Sequence, residues 1–131
     1  MNSPAVPDNL EKLRTQLAAF AAVRDWDQFH SPKNLAMALI AECAELVEHF
    51  QWLTEEESRD LDPKRLAKVR LELADILIYL IRVADKLGVD LFEAATEKIA
   101  INEKRYPVEL VSGRANRAEE YLEDMGDKGQ N

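Results

Sequence analysis

The stretch from Asp62 to Gly88 leaves a chain of this kind few architectures to choose from. Its apolar positions, Leu66, Val69, Leu73, Ile76, Leu80, Val83 and Leu87, recur at three- and four-residue steps. That spacing lays side chains along one face of an α-helix. Asp62-Pro63 gives the helix a start and Gly88 gives it a stop. A helix with so apolar a face must be covered by other helices or by a partner. No alternating apolar and polar stretch is long enough to argue for a strand, so the chain reads as all-α.

The remaining helices follow from turn signals on either side of this one. Pro7, Asp8 and Asn9 start a first helix, with Leu10, Leu13, Leu17 and Phe20 on one side and an end near Arg24. The loop Asp25 to His30 holds two aromatics and a histidine, more than a connector of its length needs. Ser31-Pro32 opens a second helix, expected to run to about Gln51 or Trp52 with Leu35, Leu39, Leu46 and Phe50 inward. Thr54 to Glu57 has the form of a capping box over one short exposed turn, and Asp90 with Glu93 has the same form before a last long helix that Tyr106-Pro107 ends. After Ser112 the chain turns polar and glycine-spotted, with at most a loose helix over Ala115 to Leu122. The expectation is a four-helix bundle over residues 1–111 followed by a mobile tail, 112–131.

Charge and cysteine content narrow the function classes. Lys and Arg total 17 against 25 Asp and Glu, a net charge of −8 with a pI near 4.8. Such a surface repels nucleic-acid backbones and anionic membranes, so neither is an expected partner. Cys43 is the only cysteine, which excludes an internal disulfide, suits a reducing compartment and reads as a small core filler. Met1 to Asp8 has neither a basic start nor an apolar run, and the greasy stretch Leu71 to Ala84 is interrupted by Glu72, Asp75 and Arg82 and too short to span a bilayer. A cytoplasmic location is the expectation.

Within this frame, Glu42-x-x-Glu45 and Glu72-x-x-Asp75 each place two carboxylates a turn apart on one helix face. If the two helices run side by side, four carboxylates converge, and their charge needs a cation or shared protons. Oxygen-only ligands point to Mg²⁺, with Mn²⁺ as a substitute, rather than zinc or copper. Either pair alone is most often a solvated face; two pairs on two long helices, both beside core positions, argue for a site. Lys98, Asn102 and Arg105 form a polar stripe on the last long helix, chemically suited to phosphate oxygens. Tyr79, one turn beyond Asp75, is either a donor to the same ligand or a core tyrosine with a wet tip.

Glu42-x-x-Glu45, Glu72-x-x-Asp75 and Lys98-x-x-x-Asn102-x-x-Arg105-Tyr106-Pro107 together resemble the MazG-like all-α nucleoside triphosphate pyrophosphohydrolases. The likeness is closest to the dCTP pyrophosphatase branch, through Arg24 to Leu35, Phe50-Gln51-Trp52 and Asp75 to Leu80, and it spans roughly residues 10 to 113. The resemblance implies hydrolysis between the α and β phosphates to a monophosphate and pyrophosphate, with Glu42, Glu45, Glu72 and Asp75 holding Mg²⁺. It further implies phosphate contacts from Lys98, Asn102, Arg105 and Tyr79, and aromatic walls for the base from Trp26 and Trp52. His30 and Asn34 fall to the base edge or a phosphate. Taken without it, Trp52 reads as a helix-end staple and His30 as a turn residue bonded to backbone. Relatives assemble as dimers or tetramers, so a homodimer or homotetramer is expected. Two other classes remain open. A di-metal redox carboxylate protein needs paired Glu-x-x-His elements, which this chain lacks, since His49 follows Glu45 at i+4 and Glu48 at i+1. A non-catalytic helical module for a nucleotide or a protein needs no such set of carboxylates.

Overall fold

The structure, a computed structural model, describes residues 9–128. The Pro7-Asp8 helix start, the reading of Met1 to Asp8 and the last three tail residues lie outside the described residues. Among the described residues the fold is all-α, with no strand. The chain forms two compact units, the first ending at Leu91 and the second beginning at Phe92.

In the first unit, α1 (Asn9–Val23) leads through a single 3₁₀ turn (Asp27–Phe29) into α2 (Pro32–Glu48), and the short α3 (Glu55–Ser58) precedes α4 (Pro63–Leu87). Both α1 and α2 pack on α4, α2 along much of its length. The start signals act as the local chemistry requires. Ser31 Oγ accepts the Asn34 N–H at 3.1 Å and Asp62 Oδ1 accepts the Arg65 N–H at 2.9 Å, each followed by proline at the head of its helix. Thr54 and Glu57 cap each other's backbone N–H reciprocally at 3.1 and 3.0 Å, and each such cap is worth about 1 kcal/mol. Gly88 closes α4 at φ 67°, ψ 28°, a left-handed conformation that returns the Val89 N–H to the Ala84 carbonyl at 2.8 Å.

Two helix ends differ from simple expectation, each for a visible reason. Asp25, not glycine, takes the left-handed position after α1, with φ 54°. Trp26 N–H returns to the Ala21 carbonyl at 3.0 Å and Asp25 N–H to that of Ala22 at 3.1 Å, while Gln28 Nε2 donates to the Asp25 carboxylate at 3.0 Å. That double closure sets the direction in which the Trp26 loop departs. Helix α2 stops at Glu48 rather than at Gln51 or Trp52. Arg65 Nη1 on α4 donates to the His49 carbonyl at 3.0 Å, and Leu53 N–H turns instead to the Phe50 carbonyl at 2.9 Å. A contact between helices thus takes over the acceptor that a continuing α2 would have used.

Ala21, Leu35, Val69, Ile81 and Ala84 are buried in this unit. The apolar face of α4 is only partly covered, for Leu66 and Leu73 keep 54% and 51% of their surface exposed.

The second unit holds α5 (Leu91–Arg105), the single turn α6 (Val108–Val111) and α7 (Ala118–Lys128). The polar segment read as a tail therefore carries a helix. Tyr121 anchors it: the residue is 1% exposed, its hydroxyl accepts the Asn116 N–H at 2.7 Å, and its ring meets Tyr106 edge-on at 6.0 Å. Ala118, Tyr121, Leu122 and Met125 fall at i, i+3, i+4 and i+7, a helical period that the polar, glycine-spotted composition of the segment obscures. No helix among the described residues is long and apolar enough to cross a membrane.

Candidate metal centre

Packing of α2 on α4 brings one carboxylate oxygen each of Glu42, Glu45 and Glu72 within 4.8 Å of one another. Glu42 and Glu45 lie a turn apart on α2, and Glu72 comes from the facing helix. Glu42 Oε2 and Glu72 Oε2 are both buried without a hydrogen-bond partner. Buried acceptors left in this state are costly, and two of them converging from different helices form a place suited to a cation or a shared proton. Burial, followed by hydrogen bonding to Glu45 and by the charges of Glu45, Asp75 and Glu72, pushes the Glu42 carboxyl up to about 7. Asp75 is solvent-exposed on the next turn of α4 and lies outside the tight three-way group, yet its charge still bears on Glu42.

The donor set suits a hard divalent cation. It consists of carboxylate oxygens from two rigid helices, with room for further ligands on the exposed Glu45 side. One neighbour was not singled out from the sequence as part of the site. His49, where α2 ends, has Nε2 3.7 Å from Glu72 Oε1, and both side chains are about one-fifth exposed. The signal was present in the spacing, because His49 follows Glu42 by seven residues and Glu45 by four and so shares their face.

The aromatic candidates divide by exposure. Trp52 leaves 87% of its surface open, in the turn after α2, which removes the reading of it as a helix-end staple. Trp26 is 44% exposed, edge-on to Phe20 at 5.7 Å and 6.3 Å from the His30 ring. His30 is half-buried with Nδ1 3.1 Å from Arg82 Nη2, so its partner is a side chain rather than the backbone of a turn. Asn34 directs its amide N–H to the Phe29 carbonyl at 3.1 Å and so braces the loop that carries Trp26 and His30. Tyr79 is half-buried on α4.

In the second unit, α5 carries Lys98 exposed, Asn102 half-buried and Arg105 exposed. Arg105 Nη2 lies 3.6 Å from Glu119 Oε1 on α7, and its guanidinium sits 5.8 Å from the centre of the Tyr106 ring. The helix that composition concealed therefore supplies a partner for one of the predicted phosphate-binding cations.

Comparison with known proteins converges on one family. The MazG-like family matches residues 38–121, which takes in both carboxylate pairs and the α5 stripe but not Trp26 or His30. The dCTP pyrophosphatase 1 of Bos taurus is 47% identical over 108 residues, 81% of this chain and 64% of that protein. The dCTP pyrophosphatase 1 of Homo sapiens is 44% identical over 110 residues, 82% of this chain and 65% of that protein. The chain thus matches less than two thirds of the length of these curated relatives. Among solved structures, a pyrophosphatase from Archaeoglobus fulgidus superposes with a TM-score of 0.75 at 36% identity, covering 81% of this chain and 99% of that one. The match over most of the helical region, together with the carboxylate cluster at the α2–α4 contact, places this chain in the MazG-like family.

Proposed function

We propose that the protein is a metal-dependent nucleoside triphosphate pyrophosphohydrolase that prefers dCTP. The carrying observation is the convergence of Glu42, Glu45 and Glu72 with buried, unpartnered oxygens on two of them. The names of the similar proteins, dCTP pyrophosphatase 1 in cattle and human and a pyrophosphatase in Archaeoglobus fulgidus, supply the reaction class and the base.

In this reading Glu42, Glu45, Glu72 and Asp75 hold Mg²⁺, with Mn²⁺ as a substitute. Bound there, the ion neutralises the triphosphate and makes water a better nucleophile. Water adds to the α phosphorus, the bond from that phosphorus to the oxygen bridging to the β phosphorus breaks, and pyrophosphate leaves. The residues of this chain supply position. Trp26 and Trp52 offer stacking faces for the base, worth about 1 to 3 kcal/mol each and indifferent to base identity. His30 and Asn34 are assigned to the base edge or the loop that carries it, and Lys98, Asn102, Arg105 and Tyr79 to the phosphates. Residues 1–111 form the catalytic domain. Removal of surplus nucleotides from the cytoplasmic pool fits this chemistry and the acidic surface, which disfavours nucleic-acid polymers.

A homodimer or homotetramer belongs to the same proposal. Leu71 and Leu73 on α4 and Ile40 and Val47 on α2 are all exposed, apolar side chains that a partner copy would cover.

The test is product analysis after incubation with each common NTP and dNTP, with Mg²⁺ and with chelator. Monophosphate plus pyrophosphate, lost on chelation and greatest for dCTP, is the expected outcome. Glu42→Gln and Asp75→Asn should each abolish turnover while circular dichroism stays helical. A folded wild-type protein that turns over no nucleotide would refute the reading and favour a non-catalytic binding module.

A further inference from the structure

Arg82 is the buried charged side chain among the described residues, 4% exposed near the C-terminal end of α4. Its Nη2 lies 3.0 Å from Asp27 Oδ1 and 3.1 Å from His30 Nδ1, and its Nη1 lies 3.3 Å from Asp85 Oδ2. The surroundings brace both carboxylates: Lys86 Nζ donates to Asp27 at 2.8 Å and Arg14 Nη1 on α1 donates to Asp85 at 3.2 Å. The guanidinium is therefore held from three sides, by α1 through Asp85, by α4 itself and by the 3₁₀ turn.

A guanidinium only donates, and it keeps its charge at any ordinary pH. The atom facing it at hydrogen-bond distance, His30 Nδ1, must therefore accept. An imidazole that accepts at Nδ1 is neutral and carries its one proton on Nε2. Protonation of Nδ1 would set N–H against N–H beside a fixed positive charge. Of the charged groups that face His30, Arg82 and Lys86 on α4 oppose the imidazolium and Asp27 in the adjoining turn favours it. Burial, the largest influence, also opposes it, and the His30 pKa lies below its usual value.

We propose that Arg82 is a positioning residue that fixes His30 as a neutral imidazole with its proton on Nε2, so that the loop beside Trp26 presents a permanent hydrogen-bond donor to an acceptor atom on the base edge of a pyrimidine nucleotide. The donor role rests on the reading of Trp26 and His30 as base-binding; the tautomer does not. Free histidine must select a tautomer and an orientation when it binds, whereas here both are set in advance by a side chain that does not itself touch the ligand.

The test begins with the full chain, labelled with ¹⁵N-histidine, in the absence of nucleotide. His30 and His49 are the only two histidines, and His30→Gln assigns the signals. The expected spectrum has His30 Nε2 protonated and Nδ1 bare, with conversion to imidazolium only below the usual histidine range. A His30 protonated on Nδ1, or a tautomer mixture in the wild type, overturns the proposal whatever the Arg82 variants do. Arg82→Met should give a tautomer mixture and move the titration upward, and Arg82→Lys, which keeps a donor and a charge, should restore the bias. In kinetics with dCTP, Arg82→Met should raise KM about tenfold with kcat changed by less than about twofold, the loss of one hydrogen bond's worth of binding. Arg82→Lys should recover most of that. A folded Arg82→Met enzyme with wild-type KM would overturn the donor role while leaving the pyrophosphohydrolase reading intact. A wild-type chain that neither binds nor turns over nucleotide would sink that reading and the donor role with it, and the tautomer would still be decided by the spectrum.

Discussion

Metal affinity should depend on pH through Glu42 in a way that ordinary carboxylates do not allow. An unperturbed glutamate is ionised throughout the neutral range, so a site built from such groups binds a cation equally well at pH 6 and pH 8. Glu42 sits at about 7, raised by burial and then by Glu45, Asp75 and Glu72. At pH 6 about one Glu42 in ten is ionised and at pH 8 about nine in ten, so apparent affinity should rise about tenfold across that interval and level off above it. Binding should release close to one proton per ion at pH 6 and almost none at pH 8, readable by titration calorimetry with Mg²⁺ or Mn²⁺ in buffers of different ionisation enthalpy. The metal-free protein should behave in the opposite sense. A carboxyl raised in the folded state contributes stability that is complete below its ordinary value of 4.5 and is lost as pH climbs towards about 7. Carboxyl ¹³C NMR of the metal-free chain should show one glutamate titrating near neutrality, absent in Glu42→Gln. Flat affinity from pH 6 to pH 8, without proton release, would refute the inference from burial and crowding.

Other consequences are more local. Trp52→Ala should raise KM by about tenfold if the ring stacks a base, with thermal stability unchanged because the ring is 87% exposed and supports nothing. Wild-type KM on every nucleotide would remove its role as a wall. Tyr121→Phe deletes the acceptor of the Asn116 N–H and should cost about 1 kcal/mol, while Tyr121→Ala should cost about 3 to 5 kcal/mol through the cavity as well. Denaturant unfolding distinguishes the two, and equal small effects would show that α7 contributes little. Gly88→Ala meets no atom within 4 Å, so the cost of about 1 kcal/mol expected in thermal unfolding comes from its φ of 67° alone.

The sequence was legible wherever the cause of structure is local. Ser31, Thr54, Asp62 and Gly88 cap helices with groups at most a few residues away, and every one acts as its type suggests. The convergence of Glu42, Glu45 and Glu72 was legible for a related reason, since spacing fixes which side chains share a helix face and two long helices with apolar sides must meet, whereas Asp75 stays outside that group. What escaped depends on contacts distant in sequence. The early end of α2 is set by Arg65 sixteen residues from His49, and the anchoring of α7 by one tyrosine meeting another fifteen residues before it. Arg82 stood out only as an interruption of an apolar run. Its partners, Asp27 and His30, lie more than fifty residues earlier, and no spacing rule reaches that far.

Helix α4 resolves buried charge in two opposite ways along its length. Around Arg82 each acid has two cationic partners, and the guanidinium shares its Nη donors among Asp27, Asp85 and His30, with Nε alone left buried and unpartnered. About 15 Å away along the same helix, Glu72 meets Glu42 and Glu45, with His49 3.7 Å from Glu72, and one oxygen each of Glu42 and Glu72 stays unpartnered. The chain thus has the means to set cations against carboxylates, since Asp27 and Asp85 each have two. Replacing one member of the Glu42 cluster by glutamine would relieve the crowding at once, so the unrelieved arrangement costs stability in the metal-free protein. A cation bound there removes that cost, which couples occupancy of the site to the stability of the α2–α4 contact. The metal-free chain should accordingly be the less stable form above pH 7, and the stabilisation by Mg²⁺ should vanish in Glu42→Gln even though the variant itself unfolds at a higher temperature than the metal-free wild type.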